Sequence, residues 1–220
     1  IMNIYINGAS GKMGQLLLNL ITITSIDKFN SITEDNFASS DVVVDFSNPI
    51  STLKILKRCL DTNIPLIIGT TGFSDHEINE IKTAGKKIPI LLAANFSIGI
   101  ANLKVYLENF IQSLDQEMSC IIEETHHIEK LDQPSGTAIE LKNLINSINE
   151  KNKIDNIEIN SIRKKDIFGI HKVSFYNKSK TYCFKHEALS REVFAHGALS
   201  SCKKLIKLKP KVYSFKDLLN

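Results

Sequence analysis

Gly8, Gly11 and Gly14 separate a short β-rich run at residues 3–7 from an apolar helical pattern at residues 15–20. A strand that turns through three glycines directly into a helix restricts the fold severely. The helix must pack back on its strand, and the next strand then runs parallel to the first. The same texture continues downstream. Residues 41–46 and 65–73 are apolar runs, the second ending in a small-residue loop, as expected of parallel strands buried on both faces. Helical spacing follows at 51–60, where Leu53, Leu56 and Leu60 recur, and at 75–82; residues 88–93 make a further strand. The alternation predicts an α/β chain with an N-terminal Rossmann-like, doubly wound parallel sheet through about residue 97.

After Asn95-Phe96-Ser97-Ile98-Gly99 the pattern changes. A longer helix is predicted at 101–114, a strand at 119–124 and a helix at 137–148. Runs at 157–163, 171–176 and 181–187 read as consecutive strands of mixed or antiparallel character, before a helix at 195–207. A C-terminal α+β domain with a mixed sheet is expected. No repeat or Pro/Ser-rich linker marks its boundary.

Composition excludes several partners. With 220 residues, 43% apolar and 23% charged, the chain has the make-up of a soluble globular protein. The net charge is only +3, and Arg58, Arg163 and Arg191 are the only arginines, which argues against a nucleic-acid surface. Cys59, Cys120, Cys183 and Cys202 are scattered without CxxC spacing, so free thiols in a reducing cytosol are expected. Residues 1–4 run straight into the first strand, and no apolar run reaches membrane-spanning length. A cytoplasmic protein with no membrane partner is expected.

The G-x-x-G-x-x-G loop suits a dinucleotide pyrophosphate, because glycine lets the backbone approach phosphate and the helix N-terminus offers N–H groups and a positive dipole end. Its spacing is not the usual G-x-G-x-x-G, so a tight turn without ligand stays open. Lys12 adds a cation beside it. The acidic residue that meets a cofactor ribose is harder to place, since only 26 residues separate Gly14 from Asp41 and the second strand region looks removed or truncated. Asp27, followed by Lys28, is the best candidate. Glu34 and Asp35 read instead as the start of a short helix.

The segment from Glu124 to Ala138 holds Thr125-His126-His127, Lys130 and Pro134-Ser135-Gly136-Thr137. The two histidines end a strand before an irregular loop, where reacting groups are commonly presented. Histidine exchanges protons near neutral pH, and a lysine can hold an anion or give a second proton. Zinc is disfavoured, because adjacent residues of a strand point to opposite faces and no further ligand stands at metal spacing. Thr137 and Glu140 form a possible capping box, and N–H groups at Gly136 and Thr137 can bind a carboxylate. His76, on a helix among polar neighbours, reads as an ordinary surface residue.

These motifs together resemble the 4-hydroxy-tetrahydrodipicolinate reductase (dihydrodipicolinate reductase) family. The resemblance runs nearly end to end and rests on the Gly8–Gly14 loop, Val44-Asp45-Phe46-Ser47 with Pro49, Gly69-Thr70-Thr71-Gly72-Phe73, Ala93-Ala94-Asn95-Phe96-Ser97 and the histidine segment. Arg163, Gly169-Ile170-His171, Ser190-Arg191 and Phe194-Ala195 with Gly197-Ala198 extend it. It implies an NADPH- or NADH-dependent oxidoreductase of lysine and diaminopimelate biosynthesis. Gly8, Ala9, Ser10, Gly11, Lys12 and Met13 would hold the pyrophosphate. Gly69, Thr70, Thr71, Ala93, Ala94, Asn95 and Phe96 would line the nicotinamide side, with Arg191 towards the adenosine. His126 and Lys130 would be the catalytic proton donors, and His127, Gly136 and Thr137 would bind substrate. The resemblance also implies a discontinuous cofactor domain (1–97 and 193–220), a substrate and oligomerisation domain (98–192), and a homotetramer.

The chemistry agrees with the residues. A cyclic dicarboxylate that loses water becomes a conjugated imine, which accepts hydride and then needs a proton. Two other readings stay open at this point. One is a dinucleotide sensor without catalysis, which has no need of His126 and Lys130. The other is a semialdehyde dehydrogenase, which requires a nucleophilic cysteine that the four cysteine positions do not provide.

Overall fold

In the computed structural model, which describes residues 1–23, 29–149 and 152–219, contacts divide the chain into two units. One is residues 1–96 with 191–220, the other residues 97–190.

The first unit is built on a parallel sheet of six strands: β1 (Met2–Asn7), β2 (Phe29–Ile32), β3 (Val42–Asp45), β4 (Leu66–Ile68), β5 (Pro89–Leu92) and β10 (Lys211–Tyr213). Their order is β10-β5-β4-β3-β1-β2. Every residue of β3 and β4 is buried, which is why these runs are apolar without alternation. Helices α1 (Lys12–Ile23) and α6 (Glu192–Leu205) contact each other, as do α2 (Pro49–Thr62) and α3 (Asp75–Ala84). Local chemistry sets their ends. Asn48 caps α2 by accepting the Ser51 N–H, with Pro49 at the first position, and Asn63 closes it in the left-handed conformation. A Ser74–Glu77 capping box starts α3. Ile55, Leu56 and Cys59 of α2 and Ile81 and Ala84 of α3 pack on Val43, Leu66, Ile68 and Ile90 of the sheet.

Of the two expectations, a second strand removed or truncated, the structure shows the truncated one. β2 is present and pairs with β1 from Met2–Phe29 to Tyr5–Ile32. It fits because it is four residues long and is followed directly by a 3-10 helix, Glu34–Ser39. This short return is pinned by Tyr5, whose hydroxyl donates to Glu34 at 2.5 Å, and by Arg58, which reaches the other Glu34 oxygen at 2.6 Å. The Arg58–Glu34 pair is largely solvated and contributes under about 1 kcal/mol. Arg58 also stacks 3.9 Å above the Phe37 ring, and burial of Phe37 stabilises more, by about 1.5–3 kcal/mol.

The second unit carries a mixed sheet of β6 (Met118–His126), β7 (Ile154–Arg163), β8 (Ile170–Tyr176) and β9 (Thr181–Glu187), in the order β7-β6-β8-β9. β6 and β7 are parallel and joined through α5 (Gly136–Ile148), whereas β6–β8 and β8–β9 are antiparallel. Helix α4 (Ile98–Gln112) places Ile100, Leu103, Leu107 and Ile111 on one stripe, and α5 does the same with Ala138, Leu141 and Ile145. Both stripes pack on Met118, Cys120 and Ile122 of β6 and on Val173 and Phe175 of β8. Among the described residues, no helix is long and apolar enough to cross a membrane.

Candidate active site

In the first unit, β1 lies between β2 and β3, so successive crossovers leave it in opposite directions. The crevice at the carboxyl ends of such strands is where a doubly wound sheet binds ligands. The glycine loop occupies it. Gly8 has φ +85°, and a Cβ there would lie 2.5 Å from the Phe46 carbonyl oxygen. A Cβ at Gly14 would lie 2.2 Å from the Gly8 oxygen, so α1 can start this close to β1 only with glycine. The Gly11 N–H closes the turn on the Gly8 oxygen at 3.0 Å. Ala9 and Met13 are half-buried, and Ser10, Gly11 and Lys12 stand exposed at the tip where α1 begins. A cradle that admits no side chain, at a helix N-terminus, fits a pyrophosphate.

Asp45, fully buried at the end of β3, ties the loops around this crevice together. It accepts from Asn7 Nδ2 (2.6 Å), Ser47 Oγ (2.5 Å), Thr52 Oγ1 (2.5 Å) and Thr70 Oγ1 (2.8 Å). Thr70 also accepts the Ser47 N–H at 2.9 Å, so its hydroxyl organises the loops rather than facing a ligand. Gly69 leaves space for the Phe46 ring, and Thr71, Ala94 and Asn95 are half-buried beside buried Ala93. The Phe96 ring is core, packed against Phe46 at 5.5 Å and Phe215 at 5.4 Å. The expectation that this ring meets the nicotinamide is corrected, because the ring is enclosed by the core. Asp27 lies outside the described residues. It precedes β2 in the chain, and the acidic residues that follow the strand are Glu34 and Asp35. Arg191, half-buried, immediately precedes α6.

The second unit gathers the histidine segment. Alternation along β6 turns Met118, Cys120 and Ile122 into the core, and continues on the same face with Glu124 and His126. The apolar core thus gives way to a buried carboxylate and a buried imidazole. Glu124 has no exposed side-chain surface, and its donors include His126 Nδ1, Arg163 Nη1 at 3.0 Å and the Ser135 N–H at 3.3 Å. Burial alone would raise the Glu124 carboxyl. Hydrogen bonds from His126, Ser161 and Arg163 outweigh it and hold the group down at about 2. With Nδ1–H fixed on this carboxylate, His126 can exchange a proton only at Nε2. That nitrogen faces Gly169, where a Cβ would lie 3.2 Å away.

His171 stands edge-on to His126, with ring centroids 5.0 Å apart, and its Nε2 is 3.4 Å from Ser135 Oγ. Burial, and then the charge of His126, pushes His171 down to about 3, so it is neutral at working pH. Glu124, His126 and His171 bring three possible metal-ligand atoms within 4.8 Å. Arg163 already neutralises Glu124, His126 Nδ1 is turned onto the same carboxylate and His171 Nε2 lies beside Ser135 Oγ, so each of these groups has a protein partner.

After β6 the chain reverses. Half-buried His127 lies 4.0 Å from the Glu129 carboxylate, and the Lys130 ammonium is 2.7 Å from Asp132 Oδ1. Arg163 holds this loop through the Lys130 and Asp132 carbonyls, at 3.3 and 2.6 Å. The capping expectation is corrected: Ser135, not Thr137, caps α5 by accepting the Ala138 N–H, and Glu140 pairs with Lys104. Helix α5 therefore begins at Gly136, and Thr137 is buried in its first turn. Glu124, Arg163, Asp132 and Ser135 escaped assignment from sequence. A carboxylate two residues before His126, hence on its face of the strand, was the available signal for Glu124.

The arrangement offers an oriented imidazole, an ammonium and a helix N-terminus within one unit, which suits protonation of an anionic molecule. Comparison with known proteins points the same way. The profile described as "Dihydrodipicolinate reductase, C-terminus" matches residues 99–219, and that described as "Dihydrodipicolinate reductase, N-terminus" matches residues 22–96. A 4-hydroxy-tetrahydrodipicolinate reductase of Pelagibacter ubique is 37% identical across all of this chain and 98% of its own. That of Thermosipho africanus is 38% identical, over 96% of this chain and 95% of its own. Among solved structures, a dipicolinate-bound dihydrodipicolinate reductase from Paenisporosarcina sp. TG-14 superposes with a TM-score of 0.77 at 20% identity, covering all of both chains. At that identity the likeness speaks for the fold.

Proposed function

The chain belongs to the dihydrodipicolinate reductase family, and from that premise we propose that its first unit holds the cofactor and its second unit holds and protonates the substrate. It is an oxidoreductase that reduces 4-hydroxy-tetrahydrodipicolinate, by way of dihydrodipicolinate, to tetrahydrodipicolinate in diaminopimelate and lysine biosynthesis. The observation that carries the site assignment is buried Glu124, which fixes the tautomer of His126 and leaves Nε2 as its one exchangeable position.

A nicotinamide cofactor supplies the hydride when bound, and Gly8 to Met13 would hold its pyrophosphate, with Gly69 to Thr71 and Ala93 to Asn95 beside its nicotinamide. Gly136 and Thr137, at the α5 N-terminus, hold a substrate carboxylate, with His127 as a further contact. His126 gives its Nε2 proton to the ring as charge develops there, and Glu124 stabilises the orientation throughout. Lys130 places a second acidic proton and a positive charge beside the same substrate.

Both NADH and NADPH are accepted, with NADH the better, because the residues after β2 are Glu34 and Asp35. A carboxylate there accepts from a free ribose 2′-hydroxyl and repels a 2′-phosphate, an effect that Lys12 and Arg58 moderate. Coupling the purified protein to a dihydrodipicolinate synthase and following NADH and NADPH absorbance tests function and preference together. We expect oxidation with both and a higher kcat/KM for NADH. No oxidation with either overturns the function; use of NADPH alone overturns the preference.

Among the described residues of the second unit, α4 and α5 cover one face of the mixed sheet, and Ile121, Ile162, Ser174 and Cys183 point to the other. That face suits copies of the same chain, in a homotetramer working in the cytoplasm. Light scattering of the purified protein should give the mass of four chains. A monomer mass at micromolar concentration refutes it.

A further inference from the structure

One carboxylate of the protein already occupies the position that a ligand carboxylate is expected to take. Asp132 Oδ1 lies 2.7 Å from the Lys130 ammonium, and Oδ2 accepts the Gly136 N–H at 3.3 Å. Its two oxygens thus bridge the cation and the helix-start donor that the proposed function gives to the substrate. Its main chain is anchored independently, since its carbonyl accepts from Arg163 Nη2 at 2.6 Å. The side chain can therefore swing away while the loop keeps its place. Lys130 and Asp132 side chains retain 21% and 30% exposure, so the pair is accessible to an incoming anion.

We propose that Asp132 is an internal stand-in for the substrate carboxylate, holding Lys130 at the start of α5 until a ligand carboxylate displaces it. The proposal rests on the reading of Lys130 and Gly136 given above. Its consequence is a competition at Lys130. A ligand that displaces Asp132 must satisfy an ammonium and an N–H at once, which an anionic carboxylate does and a neutral amide does not. Lys130, and then the Gly136 N–H, hold the Asp132 carboxyl below its ordinary range against the effect of burial, so the stand-in is charged wherever the enzyme works.

Asp132→Asn keeps the shape and removes the charge. Calorimetric titration with dipicolinate and with its monoamide, on wild-type and variant protein, tests the idea. We expect the variant to bind dipicolinate about two- to fivefold more tightly, the range for a partly exposed ion pair, and the monoamide, which does not displace a carboxylate from Lys130, to gain less. Equal or weaker dipicolinate binding, or loss of affinity for both ligands alike, overturns the proposal and marks Asp132 as a structural residue. If Asp132→Asn does not fold, Asp132→Ser is read in the same way. Failure of the wild-type protein to bind dipicolinate at all overturns the substrate reading itself, and the two failures are thereby distinct.

Discussion

His126→Gln should lower kcat by about 10²- to 10⁴-fold, the usual share of a positioned proton donor, while dipicolinate affinity changes little. Glutamine can keep a hydrogen bond to Glu124 but has no acidic proton to give. The loss should therefore appear in kcat rather than in binding. Lys130→Ala should also lose turnover, and in addition weaken dipicolinate binding because it removes the cation. His76 offers the control. It lies on α3 of the other unit with its ring exposed, paired with Glu80 at 3.0 Å. His76→Ala should leave the rate unchanged. A similar loss in His76→Ala and His126→Gln, measured in the coupled assay, would refute the role given to His126.

Glu124→Leu carries the second large effect, on stability. It leaves Arg163 and His126 buried around an apolar side chain, and an uncompensated buried charge costs about 3–5 kcal/mol. For a chain of this size that is a fall in Tm of roughly 6–20 °C. Glu123, one residue earlier, points to the other face of β6 and pairs with Lys172 at 2.6 Å with both side chains well exposed. Glu123→Leu should shift stability by less than about 1 kcal/mol. Two buried groups also give the fold an acid limb with a defined sign. His171 and Glu124 both titrate below their ordinary values when folded, so the unfolded chain binds more protons as pH falls. The stability due to His171 is full above its ordinary value of 6.5 and is lost as pH falls towards about 3. That due to Glu124 is full above 4.5 and is lost towards about 2. Scanning calorimetry across pH should show His171→Phe flattening the limb that begins near 6.5. An unchanged limb in that variant would contradict the assignment.

Much of this was legible in the residues, for physical reasons. β3 and β4 are read correctly because strands buried on both faces leave no choice but unbroken apolar runs. The glycine loop is read correctly as a strand-to-helix turn because Gly8 and Gly14 sit where backbone meets backbone. β2 escapes because it sits at the sheet edge with Asn30 and Ser31 exposed, so neither an apolar run nor an alternation marks it. β10 escapes because three residues are too few to show a period. In the site, His126 and Lys130 stand out by type and setting. Arg163 acquires its place only when parallel pairing of β6 with β7 sets it opposite His126, 37 residues away. Thr137 looks like the better cap by its spacing to Glu140, yet Ser135 takes the role because Glu124 already holds its N–H.

The central claim is that an imidazole held by Glu124 delivers the proton. His126→Gly leaves a space bounded by Glu124, His171 and Gly169 in which free imidazole can stand. Turnover of that variant with added imidazole, at saturating cofactor and substrate, tests the claim most directly. The account predicts a rate near zero without imidazole and a saturable recovery with it, and no recovery for Lys130→Ala. A His126→Gly enzyme that turns over at the wild-type rate without imidazole would contradict it.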